Sequence, residues 1–255
     1  MEGWLIDMGD PAGAMALGVG LWVSLAVVWW GATEDERWIV VAWWGWTVVA
    51  ALAGGMAMTA LRGEMGLSSR GGALGVLVLW GGAWAMSMWQ GGARVDACWR
   101  TFDALTPGLL LGLASARVGC LLDGCDIGRP TDAAWAVAHP SGTRAFDAHV
   151  LHYEVPPLAQ TTLSVHPLGL YLALWGGICA GVGLWYRWRS RQAGLATVVA
   201  LLSFGVGGFM IEWLREPSMA MVVGDVPAYP WLYLGGSALV VVGWTASRKR
   251  SGCVE

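Results

Sequence analysis

The spacing of charges constrains this chain more than any other feature. Asp10 and Glu34 enclose 23 uncharged residues, Arg37 and Arg62 enclose 24, and Arg70 and Arg94 enclose 23. Asp103 and Asp123 enclose 19 residues that hold a single charge, Arg117. Residues 167–186 and 192–211 are uncharged windows of 20 each, and 226–247 is one of 22. A helix needs about 20 apolar residues to cross a hydrocarbon core of ~30 Å. The pattern therefore predicts an all-α polytopic membrane protein with about seven transmembrane helices. Composition agrees: only 13% of residues are charged, against roughly 25% in soluble domains. A soluble enzyme, a disordered chain and a disulfide-stapled miniprotein are excluded. Net charge of −3 argues against a nucleic-acid partner. Many of the 19 Trp sit near the ends of apolar runs, where indoles favour the membrane interface.

Basic residues in short loops orient the spans. With the amino terminus outside, Arg37, Arg94, Arg100, Arg187, Arg189, Arg191, Arg248, Lys249 and Arg250 fall on the cytoplasmic side. Arg62, Arg70, Arg129, Arg144 and Arg215 fall outside. Residues 1–255 read as one integral membrane domain, with the carboxyl terminus in the cytoplasm. The segment 123–166 is polar and 44 residues long, holds all four His, and is predicted to form a small extracytoplasmic cap between spans four and five.

Polar residues inside apolar windows are costly and therefore informative. Arg117 lies six residues before Asp123, about two turns below the surface. It either snorkels to the interface or, as a fixed cation, grips an anionic head group, because a guanidinium forks onto phosphate oxygens. Gly119, Gly124 and Gly128 follow it and would let backbone amides approach such a ligand. Glu212 closes the sixth window, three residues before Arg215. It is expected to pair with Arg215, to counter Arg117 or to accept a proton. Arg70 stands among Ser and Gly at the mouth of span three, as an interfacial anchor or an anion-binding group. His166 and Tyr171 open span five. No His or Cys spacing suggests a metal, and no cofactor is expected. Cys120 and Cys125 are close enough in sequence for a disulfide, or for one to act as a nucleophile.

Four ordered blocks carry a resemblance. Arg117-Val118-Gly119-Cys120-Leu121-Leu122-Asp123-Gly124-Cys125-Asp126-Ile127-Gly128-Arg129 resembles the signature of the prolipoprotein diacylglyceryl transferases, Arg-x-Gly-(Asn or Cys), then three residues, Gly, three residues and Gly-Arg. Gly66-Leu67-Ser68-Ser69-Arg70-Gly71-Gly72 is similar to that family's Gly-Met-Ser-Phe-His-Gly-Gly turn. His166-Pro167-Leu168-Gly169-Leu170-Tyr171 is similar to its His-Pro-(Ser or Thr)-Gln-Leu-Tyr, and Glu212-Trp213-Leu214-Arg215-Glu216-Pro217 to its Glu-Phe-Phe-Arg-x-Pro.

The resemblance implies an enzyme of the bacterial inner membrane. It would move the diacylglyceryl unit of phosphatidylglycerol onto the lipobox Cys of a prolipoprotein signal peptide, with membrane lipid and that peptide as its partners. Arg117, Glu212, Arg70 and His166 then stand at catalytic positions, and Arg117, Gly119, Gly124, Gly128, Arg129, Tyr171 and Arg215 at substrate-binding ones. This chain also departs from the pattern. Arg70 replaces a His, Gly208 a second Arg, Phe204 a Tyr and Leu172 a Glu. A relative that binds lipid or assists another membrane enzyme without turnover is the alternative reading.

Overall fold

The computed structural model describes residues 5–6, 11–61, 67–91, 93–152, 155–217, 222–223 and 226–251. The side chain of Arg70 lies outside the described residues. Eight helices are described: α1 (Pro11–Gly31), α2 (Arg37–Leu61), α3 (Ser69–Gln90), α4 (Ala93–Asp123), α5 (Arg144–Leu151), α6 (Leu168–Arg189), α7 (Leu195–Glu212) and α8 (Ala228–Ser251). All but α5 coincide with the seven uncharged windows. Of these, α2, Gly72–Gln90 of α3, α4, α6 and α7 are long and apolar enough to cross a membrane, while α1 offers a shorter apolar run, Gly18–Gly31. Antiparallel two-residue strands join β1 (Leu5–Ile6) to β2 (Leu67–Ser68) and β3 (Val222–Val223) to β4 (Val226–Pro227).

The bundle is built around α4. It packs against α1, α6 and α7, while α2 pairs with α3 and α7 with α8. Close approach to α1 is possible because Gly108 has no side chain: a Cβ there would meet Val28 and the Ser24 carbonyl at 2.5 and 2.6 Å. Large apolar side chains such as Trp22, Leu77, Leu174 and Val242 point outward, which suits a surface solvated by lipid. Indoles gather at the end where α1 finishes, α2 begins and α6 finishes: Trp29 meets Trp38 edge-on at 5.4 Å and Trp30 meets Trp188 at 5.0 Å.

One boundary differs from the sequence expectation. The fourth span was placed between Asp103 and Asp123, yet α4 begins at Ala93, so Asp103 lies inside the helix rather than at its end. The physical reason is a neighbouring helix. The Asp103 carboxylate is buried and accepts hydrogen bonds from the Gly194 N–H (2.7 Å), the Thr197 N–H (2.8 Å) and the Thr197 hydroxyl (2.8 Å). It thereby caps α7 from the side, where the residue preceding that helix, Gly194, has no side chain to do so.

Candidate functional site

The far end of α4 terminates at Gly124, whose φ of +72° is a left-handed conformation suited to glycine. A Cβ there would also crowd Ala145 at 2.8 Å. The turn sends the chain into the segment that joins α4 to α6, and Asp126 follows two residues later. Asp126 is buried and bridges two cations: its Oδ2 accepts from Arg117 Nη1 at 2.7 Å and its Oδ1 from Arg215 Nη2 at 3.0 Å. Arg215 in turn holds Glu212, donating Nε to Oε2 at 2.5 Å and Nη2 to Oε1 at 2.9 Å. The result is a chain of Arg117, Asp126, Arg215 and Glu212, buried at Asp126, Arg215 and Glu212 and partly exposed at Arg117. Its formal charges sum to zero, as a low-dielectric site demands.

Of the partners the sequence allowed it, Glu212 meets Arg215, and Asp126 is the carboxylate that meets Arg117. Burial pushes the Asp126 carboxyl up, but the guanidinia of Arg117 and Arg215 outweigh it, and the net direction is down. Burial acts to lower the Arg215 guanidinium, yet its hydrogen bond to Glu212 and the charge of Asp126 raise it. Both groups are thus held ionised.

Three of the four sequence blocks meet here through backbone contacts. The Arg129 N–H donates to the Leu214 carbonyl at 2.7 Å, and the Arg129 carbonyl accepts from the His166 N–H at 3.1 Å. The Glu216 N–H donates to the Ile127 carbonyl at 3.0 Å. Arg129 itself is exposed, and its Nε–H reaches the Arg215 carbonyl at 3.4 Å. Gly128 packs directly on His166, so a Cβ would collide with the His backbone and Cβ. Gly119 is buried. Gly124 and Gly128 therefore have a packing reason, whatever they add toward a ligand.

A second polar chain borders the first. Trp135 Nε1 donates to the Tyr171 hydroxyl at 2.7 Å, and that hydroxyl lies 3.1 Å from Nδ1 of His166. An indole only donates, so the Tyr171 oxygen accepts from it and the phenol proton is free to point to His166 Nδ1. α6 presses on α4 beside this chain: a Cβ on Gly169 would stand 2.7 Å from the Arg117 carbonyl.

Sequence reasoning passed over Asp126 and Trp135. Asp126 sits in a polar segment, where an acid reads as solvated, and only the fold brings it between Arg117 and Arg215. Trp135 gave no signal; it lies in an irregular segment 36 residues from Tyr171.

Cys120 and Cys125 are free thiols, so they do not form the disulfide that their spacing allowed. A hydrogen bond with Cys120 and burial push the Cys125 thiol up, the wrong direction for a nucleophile. The Leu172 side chain is buried. Among the described residues, no three His, Cys, Asp or Glu are grouped to hold a metal.

A multi-helix membrane protein with a largely buried, charge-balanced cluster beneath a structured polar segment is the class that fold and site define. The model of the prolipoprotein diacylglyceryl transferase family matches residues 14–242, and the chain belongs to that family. It is a multi-pass protein of the bacterial inner membrane. Similar proteins include the phosphatidylglycerol–prolipoprotein diacylglyceryl transferase of Pasteurella multocida, 29% identical over 161 residues, which cover 60% of this chain and 53% of the relative. Those of Bordetella avium (28% over 153 residues, 58% and 51%) and Polynucleobacter necessarius (31% over 141 residues, 52% and 47%) are comparable. The chain spans about half the length of the curated relatives it matches.

Proposed function

We propose that this protein transfers the diacylglyceryl group of phosphatidylglycerol to the lipobox Cys of a prolipoprotein signal peptide. The observation that carries this reading is the convergence of Arg117, Asp126, Arg215 and Glu212 into one cluster, assembled from the same blocks that resemble the family. A phosphodiester needs fixed donors at its oxygens, and a guanidinium presents its N–H donors in a planar fork that matches them. In the reaction, the thiolate sulfur bonds to the glyceryl carbon and the carbon–oxygen bond to phosphate breaks. Glycerol phosphate leaves with the bonding electrons.

Arg117 and Arg215 hold the phosphate and stabilise the charge that develops on it. Glu212 has both oxygens committed to Arg215, so its role is to position that cation. Uptake of the thiol proton falls instead to His166 Nδ1, reached through the Tyr171 hydroxyl. Arg70 adds positive charge at the mouth of the third span. Gly119, Gly124, Gly128 and Arg129 shape the turn over the cluster. The segment 123–166 acts as an extracytoplasmic cap on a seven-span bundle, with the amino terminus outside and the carboxyl terminus in the cytoplasm.

A lipid-binding relative without turnover is the competing reading, favoured by the balance of two guanidinia against two carboxylates. Purified protein given phosphatidylglycerol and a Cys-bearing lipobox peptide separates the two. Glycerol phosphate released above a heat-killed control, and only with the peptide, is expected; no release at high protein concentration leaves the lipid-binding reading. Arg117→Lys keeps the charge but loses the planar fork. It should lower turnover by about 1.5–3 kcal/mol of transition-state stabilisation, the range of one charged hydrogen bond. Full activity in that variant would remove the phosphate-gripping role.

A further inference from the structure

Two departures from the family pattern, Phe204 and Gly208, lie one turn apart on α7, and a single side chain from α8 stands against both. The Tyr233 ring meets Phe204 with ring centres 5.5 Å apart and planes at 61°. The Cγ, Cδ1 and Cε1 atoms of the same ring occupy the space that a Cβ on Gly208 would enter. Any larger residue at 208 would expel the ring. The rotation of α8 is fixed nearby by Ser237, whose hydroxyl donates to the Tyr233 carbonyl at 2.6 Å and is wedged against Gly205.

The Tyr233 hydroxyl is a polar group with no assigned work. Arg117, Asp126, Arg215 and Glu212 bind one another, and Tyr171 is engaged by Trp135 and His166. Tyr233 makes no side-chain hydrogen bond among the described residues. It nevertheless stands near the cluster: Tyr229, one turn earlier on α8, has its ring 5.3 Å from the Arg215 guanidinium, and Gly208, against which the Tyr233 ring packs, is one turn before Glu212. The residue is half-buried and its hydroxyl is not enclosed, so the phenol is open to an incoming acceptor. A phosphate oxygen is the acceptor that suits it, because hydrogen bonds to anionic oxygens are the strong ones.

We propose that Tyr233 is a substrate-binding residue whose phenol donates a hydrogen bond to a phosphodiester oxygen of the anionic lipid held at Arg117. The assignment rests on the reading that this cluster receives phosphatidylglycerol. It supplies from α8 a donor at the place where α7 carries Phe204 and Gly208.

The test compares wild-type protein with Tyr233→Phe in detergent micelles. Binding of radiolabelled phosphatidylglycerol is measured beside diacylglycerol with the same acyl chains and no phosphate. Tyr233→Phe should weaken phosphatidylglycerol about tenfold or more and leave diacylglycerol unchanged. Equal phosphatidylglycerol affinity in the two proteins overturns the proposal, and so does an equal loss for both lipids, which would make the ring a packing element. A clear drop in the thermal midpoint of lipid-free Tyr233→Phe also overturns it, since the hydroxyl would then serve the fold. Wild-type protein that binds no phosphatidylglycerol removes the reading of the cluster itself. Wild-type binding with an unaffected variant removes only the role of Tyr233.

Discussion

One buried carboxylate, Asp103, lies within α4 and a second, Asp126, follows just beyond it, and the two are built on opposite logic. Asp103 and Asp126 are 23 residues apart in the chain, and at ~1.5 Å per helical residue the two sites are separated by roughly 30 Å. At the first, the Gly194 N–H just before α7 and two donors of Thr197 within it converge on one carboxylate, so the network serves the start of a single helix. At the second, Asp126 ties together two guanidinia from different elements. Burial and good hydrogen bonds are common to both. What separates a structural carboxylate from a candidate functional one is its partners: uncharged donors of one helix start at Asp103, two cations from distant parts of the chain at Asp126.

The sharpest way to break this comparison is to remove each carboxylate in turn. Asp126→Ala leaves Arg117 and Arg215 around a missing charge, and loss of one partner of a buried pair costs about 3–5 kcal/mol. Thermal unfolding in detergent should show this as the largest fall of any single variant, together with loss of phosphatidylglycerol binding. Asp103→Ala should cost less, about 1–3 kcal/mol, the range for leaving buried N–H donors unsatisfied. Its lipid affinity should stay at the wild-type value. If Asp103→Ala weakens lipid binding as much as Asp126→Ala does, the two sites are coupled and the contrast fails.

The smallest expected effect concerns the cap. Burial, reinforced by His149, holds His139 below its ordinary value of 6.5. The unfolded chain therefore binds the proton more readily, so this histidine's contribution is present above pH 6.5 and is lost as pH falls through and below that value. Proteolysis of the 124–167 segment followed from pH 7.5 to 5 should accelerate on the acid side. His139→Gln should flatten the profile, and an unchanged acid limb in that variant would assign the effect to other groups.

Hydrocarbon tolerates so few charges that gaps between them marked seven helices directly. The same rule misplaced the start of α4. It treats any Asp as a boundary, whereas Asp103 is satisfied by donors from a helix more than 90 residues later in the chain. The Glu212–Arg215 pair was readable because the two stand only three residues apart, close enough to meet across a single turn at the end of α7. Asp126 was obscured because an acid in a polar loop looks solvated until the fold folds it under. The approach of Tyr233 to Gly208 leaves no periodic trace in either helix, since it depends on how α7 and α8 are rotated against each other.

The pairings in the cluster bear on how the protein enters the membrane. Arg117 finds its counter-ion nine residues downstream, and Arg215 finds one three residues upstream. Neither cation must wait for a distant part of the chain before its charge is offset. An arginine at the centre of a lone helix costs about 2.5–3.5 kcal/mol on insertion scales. Here each stretch of chain carries the neutralising partner of its own cation, and only the bridge from Asp126 to Arg215 joins the two.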